Sequence, residues 1–289
     1  MSTPPPVPEG SKAKVTLTGT AATLLMTLAA RLEDLHNPDP IVGDKWAEYV
    51  AEQINYDYST IGVPPVMRDT ICLRTVCFDR WTREFLAEHK DEEVTILNIA
   101  CGLDARCHRV QWGPNVRWVD MDLPDVVELR RKLLPEPSGN YTLLAGSALD
   151  DSALASIPKD RPTAIVIEGL MMYLEEAQVH DLIRRLCDHF PSGQLMFDAM
   201  SPTVVNLQKL RYWLSPGGWM QNQGTGYASS ISNPAAVEEL HPGLKLKTNV
   251  LWTDMEGIKN PTTVQKVVAF IGSVPLLSSF TGYNLRYAF

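Results

Sequence analysis

The sequence lacks most of the signatures by which a chain announces a metal, a nucleic acid or a membrane as its partner. It has no C-x-x-C pair and no H-E-x-x-H, and its six histidines show no ligand spacing, so no metal site is expected. No block of five or more Lys or Arg occurs and the formal net charge is −8, which leaves no dense basic face to neutralise phosphates and argues against DNA, RNA and anionic membranes. Cys72, Cys77, Cys101, Cys107 and Cys187 are odd in number and read as reduced thiols, which places the chain in the cytoplasm. The apolar stretch from Ala21 to Ala30 follows Lys12 and Lys14 as a leader peptide's would. Thr23 and Thr27 interrupt it, and it runs into Arg31, Glu33 and Asp34, so it reads as an amphipathic helix far short of the ~20 apolar residues that span a bilayer.

What is present is an ordinary globular composition, 45% hydrophobic and 21% charged, enough to bury a core. Residues 1–10 are Pro-rich and are expected to form a mobile tail. From there to about His89 apolar residues recur at spacings of three and four, as in Leu24, Leu25, Leu28 and Leu32, which predicts helices. At Val94 the rhythm changes to short runs at 94–100, 116–121, 141–145, 163–169 and 194–199, read as strands buried on both faces. Helical stretches such as 124–134 and 175–189 separate them, which predicts βαβ units and a Rossmann-like α/β fold on a parallel sheet. Two further strands are expected at 244–252 and 264–273. The expected organisation is one domain over 1–289: a helical extension at 1–92, a core at 93–200, an aromatic-rich lid insertion at 201–243, and C-terminal strands at 244–289.

Open α/β sheets bind ligands beyond the carboxyl ends of their strands, so the turn after the first strand is the place to search. It reads Asn98-Ile99-Ala100-Cys101-Gly102, with small residues at Ala100 and Gly102 where backbone must approach a ligand. The second strand ends at Asp122, twenty residues past Gly102, the offset at which a carboxylate meets a ribose diol. Asp120 has the same parity and competes for the role; Asp122 is favoured because it sits at the tip, and Asp120 otherwise reads as a solvated strand-end charge. The turn lacks the three glycines of a dinucleotide fingerprint, so a nucleoside cofactor without phosphates, such as S-adenosylmethionine, fits better.

The runs TILNIACGLDARCHRV (95–110), VRWVDMDLPDVVELRRKLLPE (116–136), YTLLAGSALDD (141–151), AIVIEGLMMYLEEAQV (164–179) and FPSGQLMFDAMSP (190–202), preceded by ICLRTVCFDRWTREFL (71–86), resemble the leucine carboxyl methyltransferase family. The match is stronger to its polyketide carboxyl O-methyltransferase branch and spans roughly residues 15–205. The resemblance implies a class I methyltransferase fold with a mostly parallel seven-stranded sheet and helices on both faces. It implies S-adenosylmethionine as cofactor, with Arg74 on the methionine carboxylate, Gly102 against the methionyl part, Asp122 on the ribose and Glu168 near the amino group. It places Ser147 and Ala148 at the adenine, with Asp150 as a substitute for the acid that some members carry at the first of these positions. Ala100 stands where the family commonly has glycine, and Ala105 where it commonly has threonine.

The expected activity is O-methylation of a small, acidic, polyketide-like molecule. A carboxylate with a pKa near ~4 needs no general base, whereas a phenol near ~10 does. No His or Lys is placed by these motifs at the reacting oxygen; His180 and His241 remain as alternatives, each also readable as a surface residue. Tyr173, Arg211 and Tyr212 are the candidates for the substrate side, Arg211 as a partner for an acid. The competing readings are a protein methyltransferase acting on the C-terminal carboxyl of a phosphatase subunit, and a relative that binds cofactor without transferring methyl.

Overall fold

Strong apolar runs with few breakers become strands wherever a helix on each side can cover them. In the computed structural model, which describes residues 2–10, 12–15, 17–214, 219–254, 258, 261–274 and 281–289, seven strands form one sheet. They are β1 Val94–Ile99, β2 Val116–Asp122, β3 Asn140–Ala145, β4 Thr163–Ile167, β5 Gly193–Met200, β6 Lys245–Leu251 and β7 Gly282–Ala288, ordered β3-β2-β1-β4-β5-β7-β6. The first five are parallel, and β7 inserts antiparallel between β5 and β6. Strand order reverses between β1 and β4, which fixes the crevice where a ligand binds.

The side chains of β1 alternate between two cores. Ile96 joins Trp118, Val166 and Met196 against Phe78, Trp81 and Phe85 of α3 (Pro65–Glu88). Leu97 and Ile99 join Ile165, Ile167 and Phe197 against α7 (Glu176–His189) on the opposite face. The N-terminal helices α1 (Leu24–Leu35) and α2 (Lys45–Glu52) share a third cluster with α5 (Pro124–Leu133). Short helices α4 (Arg106–Arg109) and α6 (Asp151–Ala155) complete the crossovers. After β5 come α8 (Pro202–Leu214) and α9 (Trp219–Asn222), and α10 (Thr263–Ser273) lies between β6 and β7. Among the described residues no helix is long and apolar enough to cross a membrane.

Four expectations are corrected. The run at 264–273 is α10, not a strand: Thr262 and Gln265 bond each other's backbone amides, at 2.6 and 3.3 Å, in a capping box that starts a helix despite the β-branched residues that follow. The strand that closes the sheet is instead β7, whose buried polar residues Asn284 and Arg286 find partners in Trp252 and Gln194. β3 is an edge strand with only Leu143 fully buried, so it is not covered on both faces. The Pro-rich start is docked, because Ser2 accepts the Trp46 indole N–H at 3.0 Å and its amide reaches His108 O at 3.1 Å.

Candidate functional site

A cavity of about 260 Å³ opens beyond the carboxyl ends of β1, β2 and β4. Its floor is the turn after β1. Ala100 has φ +55° and Gly102 φ +51°, so the chain passes twice through the left-handed region that glycine tolerates and alanine resists. The Gly102 amide donates to Asp122 Oδ2 at 2.6 Å, and Asp122 Oδ1 accepts the Leu123 amide at 2.7 Å, which pins the carboxylate at the tip of β2. Burial raises the pKa of Asp122, and these two amides oppose the rise. Asp120, by contrast, is wholly buried and held by Arg130 at 2.5 Å, Tyr141 at 2.9 Å and Trp118 at 2.9 Å, so it belongs to the framework and is not a solvated charge.

The roof is N-terminal. A 3₁₀ turn at Gly19–Thr23 and the start of α1 bring Ala21, Thr23, Leu24 and Thr27 to the cavity. The expected lid at 201–243 contributes no described residue to the wall; it supports the roof from outside, with the Gly19 amide bonded to Gln223 O at 3.0 Å. Residues 215–218 of that segment lie outside the described residues.

The far wall is a chain of buried ion pairs. One face of α3 carries Arg74 and Thr75, then Asp79 one turn later, toward the sheet. Glu168, immediately after β4, accepts from Arg74 Nε and Thr75 Oγ1 at 3.0 Å each and from Arg106 Nη2 at 2.5 Å. Burial would raise its pKa, but Arg74 and Arg106 outweigh burial and hold it low. Arg74 also donates to Asp198 on β5 at 2.8 Å, and Asp198 accepts the Gly169 amide at 2.6 Å. Gly169 takes φ +74° to turn out of β4, and a Cβ there would lie 3.5 Å from the Arg74 guanidinium. Beyond Arg106, Asp79 and Arg109 continue the network to Asp44, Asp104 and Arg31.

Arg74, Ala100, Gly102, Asp122, Ser147, Ala148 and Glu168 thus all line one cavity, and so does Tyr173. Tyr173 stands with its ring centroid 5.8 Å from that of Tyr227, and burial pushes its hydroxyl well above the usual phenol range. Arg211 and Tyr212 are not brought there. Arg211 is exposed on α8, and Tyr212 turns inward to donate to Thr225 O at 3.3 Å, so the substrate role expected of them has no geometric support. Asp150 is exposed and spends its carboxylate capping α6 through the Ser152 amide. His180 and His241 lie outside the cavity wall, near Glu176 and Asp188 respectively.

Sequence reading missed Arg31, Asp104, Arg106 and Asp198. The signal for Asp198 was available: a carboxylate inside an apolar strand is costly unless paired, the same argument that singles out Glu168. Arg106 and Arg109 carry no such signal, because their partners Asp79 and Asp44 lie on other elements.

The comparisons agree with this geometry. The leucine carboxyl methyltransferase family pattern matches residues 23–187, more than half of the chain. The tetracenomycin polyketide synthesis O-methyltransferase TcmP of Streptomyces glaucescens is 36% identical over 276 residues, covering 95% of this chain and 98% of that one. The S-adenosyl-L-methionine-dependent methyltransferase dpfgK of Gibberella zeae is 32% identical over 253 residues, covering 82% and 83%. Among solved structures, a DUF574 family protein from Streptomyces avermitilis shares the fold, with a TM-score of 0.55 and 17% identity over 90% of this chain and 96% of that one. A cavity at the strand switch point, walled by the motif residues and matched along nearly the whole chain by such relatives, identifies this protein as an S-adenosylmethionine-dependent methyltransferase that belongs to the leucine carboxyl methyltransferase family.

Proposed function

We propose that the protein methylates a carboxylate of a small, polyketide-like aromatic acid. The observation that carries the reading is the make-up of the cavity wall, which contains no His and no Lys among the described residues. Asp104 and Glu168 are held low by their arginines, Asp122 is bonded by two backbone amides, and burial keeps Tyr173 protonated, so the wall offers no strong base. An acceptor oxygen must then arrive already ionised, which a carboxylate does at neutral pH and a phenol does not. TcmP, by its name, methylates oxygen in the synthesis of a polyketide, which supports the same substrate class.

The residues present fit the cofactor. Asp122 keeps lone pairs beyond its two amide bonds to receive vicinal ribose hydroxyls, and Gly102 offers backbone without a side chain. Arg74, fixed by Glu168 and Asp198, presents a cation to the methionyl carboxylate, and Ser147 and Ala148 flank the place of the base. S-adenosylmethionine, when bound, supplies an electrophilic methyl on a sulfonium. The chain's part is to align that methyl with the acceptor oxygen in a mostly apolar cavity roofed by Ala21, Thr23 and Leu24, because loss of charge on transfer is favoured where solvent is scarce. Tyr173, as a neutral phenol on the wall, can donate to a carboxylate oxygen and orient it.

The test is a panel of aromatic acids and their matched phenols, incubated with the protein and methyl-labelled S-adenosylmethionine. The reading expects label on acids, released as methanol by mild base; label that appears only on phenols, stable to base, would overturn it. Label on a protein C terminus and none on the panel would favour the protein-directed activity for which the family is named.

A further inference from the structure

A helix on the surface of a soluble domain turns its apolar stripe inward and its polar face to water. Two helices of this chain do the reverse. Residues 207–213 of α8 read Leu-Gln-Lys-Leu-Arg-Tyr-Trp, and residues 264–270 of α10 read Val-Gln-Lys-Val-Val-Ala-Phe, so both carry an apolar residue, Gln, Lys, a second apolar residue and, three further on, an aromatic. In both the glutamine faces the protein. Gln208 Oε1 accepts the Tyr227 amide at 2.7 Å, and one turn later Tyr212 donates to Thr225 O at 3.3 Å. Gln265 is buried, donates to Asp69 Oδ2 at 2.5 Å and accepts the Thr262 amide at 2.6 Å.

The apolar residues are left on the outside. Among the described residues nine large apolar side chains are exposed, and seven of them lie on these two helices. Leu207, Leu210 and Leu214 follow one another at spacings of three and four, the repeat of a seam made for another helix, with Trp213 beside them at 79% exposed. Val264 and Val267 begin the same repeat on α10, and Phe270, 68% exposed, stands where α8 has Trp213. Single exposed apolar residues are ordinary, whereas two ordered stripes mark a contact surface. Scaled by their exposures, the seven side chains present roughly 700 Å², close to the ~800 Å² that each partner gives to a stable pair. Neither helix contains an Asp or a Glu, in a chain that has 34, so covering the stripes desolvates no carboxylate; Lys209, Arg211 and Lys266 stand exposed along their flanks.

We infer that the outward faces of α8 and α10 are the interface between two copies of this chain. The stripes share one residue order, so each copy offers both members of a helix-to-helix contact, and a two-fold axis that sets the stripes of one copy against those of the other covers all four. A partner that brings a single amphipathic helix would cover only one of them. An anionic bilayer would meet three cations on a chain whose net charge is −8.

Size-exclusion chromatography with light scattering, run on the full chain at roughly 10 µM, should return twice the 32.2 kDa of one chain, because interfaces of this size hold in the micromolar range or tighter. Leu210→Glu and Phe270→Glu each put a charge into one stripe and should return the single-chain mass with the circular dichroism of wild type. Should either fail to fold, Trp213→Gln, which removes apolar area without adding charge, must weaken pairing about tenfold or more. The flanking cations share one sign, so raising sodium chloride from about 50 to about 500 mM should tighten the pair. A single-chain mass for wild type at both salt concentrations overturns the inference, as does a double mass that all three substitutions leave unchanged. Pairing that salt weakens would assign the contact to ion pairs elsewhere and overturns it equally. Single chains that float with vesicles of phosphatidylserine and phosphatidylcholine, and are released by the same salt, would give the face to a bilayer instead.

Discussion

Asp122 accepts the Gly102 amide at 2.6 Å across the tips of two neighbouring strands, so the carboxylate meant for a ribose also fixes the turn that lies against the rest of the cofactor. One substitution therefore removes two functions. Asp122→Ala is expected to weaken S-adenosylmethionine binding by roughly 30-fold or more, the loss of charge-assisted hydrogen bonds, as read by equilibrium dialysis with labelled cofactor. A dissociation constant near that of wild type would remove Asp122 from the site.

Two residues earlier the same strand carries a carboxylate with the opposite job. Asp120 is wholly buried against Arg130, and Asp120→Ala strands that guanidinium in the core. The expected cost is about 3–5 kcal/mol in urea unfolding, far more than Asp122→Ala at the half-buried tip. Equal stability of the two variants would contradict the division between framework and site.

Ala100 holds φ +55°, where an L side chain pays about 1 kcal/mol or more over glycine. Because glycine loses more chain entropy on folding, Ala100→Gly is expected to range from neutral to about 1 kcal/mol stabilising, and to leave cofactor affinity intact. A clear fall in the melting temperature would show that the backbone does not adopt this conformation.

Acid should unfold the protein through its ion network. Asp104 and Glu168 are buried, which alone would raise them, but their arginines hold both below the ordinary carboxylate value. The unfolded chain then binds more protons than the folded one in that range, so stability present at neutral pH is lost as pH falls from about 5 downward. Asp122 and Asp198, raised by burial, act in the opposite sense and soften the limb. Urea midpoints that fall between pH 6 and pH 4 in wild type, and fall less in Glu168→Gln, are the expected result; a parallel decline in both would remove Glu168 from the account.

The parallel core was legible because strands covered on both faces need unbroken apolar runs, and 94–100, 116–121 and 163–169 supply them. The C-terminal third was not. β7 reads GYNLRYA, and its Asn284 and Arg286 are acceptable in a core because Trp252 meets the first and Gln194, Glu84 and Glu88, distant in sequence, meet the second. The capping box of Thr262 and Gln265 lies just ahead of Val264, Val267 and Val268, whose β-branching favours a strand. In the site, Gly102 and Asp122 are legible from their spacing and Arg74, Ser147, Ala148 and Glu168 from the family resemblance, whereas Arg31, Arg106 and Asp104 act through partners on other elements, which no local pattern encodes. The roof was sought in the aromatic insertion and is formed instead by Gly19–Thr23, a segment with no chemistry-bearing motif to mark it.

The account turns on a wall without a general base, and the pH dependence of methyl transfer tests that most directly. With an aromatic carboxylic acid as acceptor and saturating S-adenosylmethionine, the single-turnover rate should be level between about pH 6 and 9, because the acceptor is ionised throughout and no wall group titrates to activate it. A rate that climbs tenfold per pH unit across part of that window would show a proton being removed before transfer, and would contradict the assignment of a carboxylate acceptor.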